Sequence, residues 1–217
     1  MQNLEPPNTH HLRAAIGWIE LGNHAEAGEE IARIPPEFVE HPDVLDVRWS
    51  ICAAGRSWDA ALAVAETLVR VAPERSSGWV HRAYALRRVR HGGLQLAWAA
   101  LRPAFEKFPK EEVIPYNLAC YAAQTGRLDA AWDWLHKAME AAGDVQAIKE
   151  RALADCDLQP LWQRIRELSA RRQSRVGRRR RREPGHALDW RRDRPRRAHQ
   201  GSARPQSAGA SAGFCCR

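Results

Sequence analysis

Asp155 and Asp157, in the stretch ADCDLQPLW, are two carboxylates separated by one residue, a spacing that can begin a cation site. A hard cation such as Ca²⁺ needs about six oxygens, gathered by a loop that turns on glycine, and the neighbouring sequence offers neither a third ligand nor such a loop. No metal is expected. His10 and His11 are adjacent, so on a helix they diverge by about 100° and do not chelate together. His81, His91 and His136 stand apart from one another. The motifs HExxH, GxSxG and GxxxxGK are all missing, and Gly92-Gly93 reads as a turn. Of the five cysteines (Cys52, Cys120, Cys156, Cys215, Cys216) none forms a CxxC unit, and Cys52 and Cys120 lie among small apolar residues, where a thiol packs as a small hydrophobe. No catalytic residue and no cofactor is expected.

The run RAYALRRVR, Arg82 to Arg90, suggests recognition instead of catalysis. Arginine and tyrosine are favoured anchors at interfaces, and a basic, aromatic helix face suits an extended or helical peptide that carries acidic groups. An ordinary solvated helix face would use the same residue types. The choice depends on what positions them.

A net charge of +8 with a pI near 9.8 points to nucleic acid until the chain is divided at Ala170. Beyond that residue lie fifteen arginines against three acidic residues, whereas the first 170 residues hold 23 acidic side chains against 19 basic ones. The basicity belongs to the tail. Residues 169–217 have no periodic apolar face and are predicted to be disordered. Their arginines suit phosphate contacts, giving an alternative function as a nucleic-acid-associated protein. The same composition, without Lys, Ile, Asn, Thr, Met or Tyr, is also what a GC-rich gene read out of frame produces. At the other end, MQNLEPPNTHHLRAAIGW has no basic start and no apolar run of signal length, and roughly 18 uninterrupted apolar residues occur nowhere. A soluble, cytoplasmic protein is expected.

The positioning elements come from a repeat. Ala131 is followed by Leu135, Ala138 and Met139, one face of a helix, and the same frame occurs after Ala97, Ala61 and Ala27. These alanines are 34, 36 and 34 residues apart. Gly22, Gly92 and Gly126 each precede their alanine by five residues, while Gly55 precedes Ala61 by six, which predicts a longer second turn. Pro73 and Pro109 follow their alanines by twelve, where Gly143 stands in the last unit; each stops a helix. An apolar helical segment precedes each glycine: Leu12 to Leu21, Val44 to Ala54, Gly78 to Val89 and Ile114 to Gln124. Each unit is therefore helix, turn, helix, with alanine allowing the two axes to approach closely. Asp59 and Asp129 are placed to cap the second helices.

This pattern resembles the tetratricopeptide repeat (TPR), above all in YNLACYAAQTGRLDAAWDWLHKAM, where Asn117, Leu118, Ala119, Gly126, Ala131 and Ala138 fall on the family's packing and small positions. The resemblance spans residues 8–168. It implies an all-α fold, a right-handed superhelical solenoid of four helix pairs, closed by a capping helix after the string Asp155 to Trp162. It also implies a protein-binding scaffold whose first helices line a concave face. Partner contacts would then fall on Arg48, Trp49, His81, Tyr84, Arg87, Arg88, Tyr116, Asn117 and Gln124. Tryptophans such as Trp18, Trp58, Trp98, Trp132, Trp134 and Trp162 would fill gaps between units.

Overall fold

Alanine and leucine at helical spacing, broken by glycine and proline, produce helices joined by short turns. The computed structural model describes residues 3–168, and among them there is no strand. The helices are α1 (Asn8–Glu20), α2 (His24–Ala32), α3 (Pro42–Ala54), α4 (Trp58–Val71), α5 (Ser76–Leu86), α6 (Leu94–Leu101), α7 (Ala104–Lys107), α8 (Val113–Gln124), α9 (Leu128–Ala142) and α10 (Val145–Ala154). A 3₁₀ segment, Cys156–Leu161, leads into a last helix, α11, over 162–168. The arginine-rich stretch from 169 lies outside the described residues.

The helices pair as α1 with α2, α3 with α4, α5 with α6, and α8 with α9. Ala27, Ala61, Ala97 and Ala131 are fully buried, as is Ala138, so each marks a place where two helices meet with only a methyl group between them. Among the described residues the core is not one cluster but three. Leu12, Ala15, Ala27 and Val44 belong to the first, Leu45, Trp49, Ala61 and Leu68 to the second, and Leu101, Leu118, Leu135 and Ile165 to the third. Each cluster draws residues from more than one helix pair, as stacked repeats require.

Three of the four hairpin turns are alike, and the second is not longer. In each, the backbone N–H that follows the left-handed residue bonds five residues back: Asn23 to Trp18, Ser57 to Cys52 and Arg127 to Ala122. The left-handed position is Gly22 (φ 76°) and Gly126 (φ 75°) in two of them. In the second it is Arg56 (φ 55°), five residues before Ala61, with Gly55 at an ordinary φ. The turn geometry is kept and the glycine stands one position early. An L-residue there costs roughly 1 kcal/mol, so Arg56→Gly is expected to leave the fold intact and raise stability by a few tenths to about 1 kcal/mol in urea denaturation.

The third unit departs most from the repeat. α5 ends at Leu86 instead of Val89, and residues 87–93 form a seven-residue connection where the other hairpins use three. Its second helix is split before Ala104, because Pro103 cannot donate to the ladder. Pro73 and Pro109 sit beyond helix ends, and the Pro73 carbonyl accepts from Trp79 Nε1 at 3.1 Å and from Lys107 Nζ at 2.6 Å. Asp59 and Asp129 lie inside the first turns, two residues past the N-cap positions Ser57 and Arg127. They face the positive helix ends without closing them, and Asp129 accepts from Arg164 at 3.1 Å. Side-chain caps come from Asn23, His41, Asp144 and Asp155.

Candidate functional site

On α8, Tyr116, Cys120 and Gln124 recur every fourth residue and so share one stripe. The 3₁₀ segment packs against this helix. Tyr116 Oη donates to Asp155 Oδ2 at 3.1 Å, Cys120 Sγ lies 3.7 Å from the same oxygen, and Gln124 Nε2 donates to the Asp157 carbonyl at 2.9 Å. From the end of α5, Arg87 reaches across 70 residues of sequence to grip Asp157 with both arms of its guanidinium, Nη1 to Oδ2 and Nη2 to Oδ1, the latter at 2.8 Å. Asp155 Oδ1 accepts from the Asp157 N–H at 3.0 Å and so fixes the bend of the segment. Arg151 lies over the Tyr116 ring at 4.0 Å. Leu158 and Leu161 are buried below the polar ties.

Burial pushes the Tyr116 phenol well above its usual range, and the neighbouring Cys120 side chain and Asp155 carboxylate add to the shift, so it stays a neutral donor. Burial also raises Cys120 well above an ordinary thiol, with Asp155 and Asp157 adding to the effect. It is a packing thiol, not a nucleophile. The Cys120 sulfur and the carboxylates of Asp155 and Asp157 come within 4.8 Å of one another, a donor set the sequence did not announce. Asp157 already meets its counter-charge in Arg87, and Asp155 accepts from a phenol and a backbone amide, so the arrangement is complete as a hydrogen-bonded cluster.

A second group forms between α3 and α5. Trp49 and His81 stack with ring centroids 3.8 Å apart and planes within 2°. Tyr84 stands edge-on to Trp49 at 5.9 Å, and Arg88 lies over Tyr84 at 3.6 Å and over Trp58 at 5.0 Å. The Arg88 guanidinium also donates to the Tyr84 carbonyl at 3.1 Å. Burial pushes His81 down to about 4, so its ring is neutral at neutral pH and packs as an aromatic. Its Nδ1 lies 3.4 Å from Asp46, whose carboxyl burial raises.

The nine residues singled out in the sequence thus fall into two groups and two outliers. Arg87, Tyr116 and Gln124 converge on the chain's own segment 155–157. Trp49, His81, Tyr84 and Arg88 form the aromatic stack, in which Trp49 is only 7% exposed and serves largely as core. Arg48 sits apart, donating to the Val39 carbonyl at 3.4 Å and lining a cleft of about 360 Å³ with Ile31 and Ile34. Asn117 turns back to its own helix, to the Val113 carbonyl at 2.8 Å. Cys120 packs as the small hydrophobe its apolar neighbours implied, and its place beside Asp155 follows from its position midway between Tyr116 and Gln124; Arg151 had no local signal in the sequence.

No family model matches the chain, and no curated protein does. Among solved structures it is similar to a thermophilic TPR protein from Thermus thermophilus, with a TM-score of 0.56 and 20% identity over 75% of this chain and 98% of that one. The fold is that of a tetratricopeptide-repeat array. The all-α solenoid of antiparallel helix pairs implied by the resemblance therefore holds. Its pairs run from α1 to α9, and α10, the 3₁₀ segment and α11 follow them. No helix among the described residues is long and apolar enough to cross a membrane.

Proposed function

We propose that this protein is a non-catalytic scaffold that holds an acidic peptide of a protein partner on the surface formed by the first helices of its TPR array. TPR arrays in general serve protein interaction, and that supports the coarse reading. The finer one rests on a single observation. Arg87, Tyr116 and Gln124 are already engaged with Asp155 and Asp157, so the residues assigned to a partner have the chemistry to take carboxylates and backbone carbonyls from a short 3₁₀ stretch. Arg88, with its guanidinium held over Tyr84 and Trp58, continues this surface toward α3.

The test is an array of short synthetic peptides of graded acidity, read with the labelled full chain and with an Arg48→Ala/Arg88→Ala variant. Peptides rich in Asp and Glu are expected to retain the protein, and the variant is expected to lose at least roughly tenfold in signal, since charged anchors contribute most to such contacts. Binding without preference for acidic peptides, or equal binding by the folded variant, would overturn the assignment.

A further inference from the structure

We propose that residues 155–161 are a resident, displaceable occupant of the receptor surface, and that the partner carries the same chemistry: two carboxylates one residue apart, followed directly by leucine. The inference rests on the reading of this surface as a receptor and names its ligand.

Three observations carry it. The segment is a six-residue 3₁₀ run, whose i→i+3 bonds are weaker than those of an α-helix, and Pro160 within it supplies no backbone donor. What fixes it is a set of ties to other elements: the Arg87 fork on Asp157, Gln124 on the Asp157 carbonyl, and Tyr116 on Asp155. These are contacts a separate peptide can reproduce atom for atom. Finally, Leu158 is buried immediately after the second carboxylate, which adds an apolar anchor at a fixed step from the polar ones. Together they specify Asp-x-Asp-Leu.

Because α10 tethers the segment, it competes at an effective concentration on the order of millimolar. An incoming motif succeeds only if it binds more strongly or if the resident grip is loosened. The surface therefore rejects weakly acidic peptides and admits a close match.

The probe is a fluorescein-labelled synthetic peptide of residues 154–162 carrying C156S, titrated against the full chain by anisotropy. Asp157→Asn weakens the resident while leaving the receptor intact, and is expected to bind the probe at least roughly tenfold more tightly than the unaltered chain. Adding Arg87→Gln is expected to cancel that gain. A folded Asp157→Asn variant that binds the probe no better than the unaltered chain would sink the idea. Should that variant fail to fold, hydrogen exchange on the unaltered chain decides: with about 1 mM probe, amides of 155–161 are expected to exchange faster while those of 116–123 stay protected. Unchanged exchange would overturn the proposal. An array on which the unaltered chain shows no preference for acidic peptides would overturn the reading of this surface, whereas acidic-array binding that persists while the probe tests fail would overturn this proposal alone, so the two failures are separate.

Discussion

Arg87→Met is expected to lower stability by about 3 kcal/mol, because it takes the guanidinium away from Asp157, a carboxylate of which only 10% meets solvent. Arg87 itself is only 18% exposed, so the pair belongs with buried ion pairs, whose disruption from one side is costly, and not with surface pairs worth under about 1 kcal/mol. The charge alone is not the whole effect. Arg87 also lies 5.9 Å from the Tyr121 ring, and its fork ties the 3₁₀ segment to the end of α5. The double variant Arg87→Met/Asp157→Leu, which removes both charges, is expected to regain most of the loss. Urea denaturation of the two variants beside the unaltered chain checks this. A single-variant loss below about 1 kcal/mol would place the pair in the surface class.

Gly92→Ala is expected to cost at least about 3 kcal/mol, more than any other methyl added at a glycine of the hairpin turns. A Cβ on Gly92 would sit 1.8 Å from the Leu86 carbonyl oxygen and 2.8 Å from a Val89 methyl, and the first of these is backbone that cannot rotate away. That carbonyl also receives the Gly93 N–H at 2.8 Å, the bond that closes the seven-residue connection. Gly22→Ala and Gly126→Ala are the proper controls. Both positions have open space around a Cβ and differ only in their left-handed φ, so about 1 kcal/mol is expected at each. Equal losses at all three sites, measured by thermal melting, would mean the connection relaxes around the new methyl.

Ala27, Ala61, Ala97 and Ala131 were legible in the sequence because close helix packing is a local, periodic demand, and all four are fully buried. Gly92 plays a different part from the one its spacing implies. It keeps the five-residue spacing to Ala97, yet it stands in a longer connection and is required by close approach to Leu86, not by a left-handed turn. At Gly55 the reverse happened, since the turn kept its length and placed the strained φ on Arg56. Within the site, Tyr116 and Gln124 were visible as one helical stripe. Their occupant was not, because Arg87 and Asp157 are 70 residues apart and no periodicity links them. Read alone, Asp155 and Asp157 posed a question about metals; folded, they answer a guanidinium and a phenol.

The separation of the interior into three clusters bears on how the molecule comes apart. α3 contributes Val44 and Val47 to the first cluster and Leu45 and Trp49 to the second, while α5 gives Ala85 to the second and Ala83 to the third. These two helices act as splices, and the cooperativity of the whole array passes through their few shared residues. Heating such a chain need not melt it in one step: the terminal hairpin, closed by the smallest cluster, can open while the C-terminal third stays folded. A partner seated across α5 and α8 would bridge the second splice and make adjacent units unfold as one.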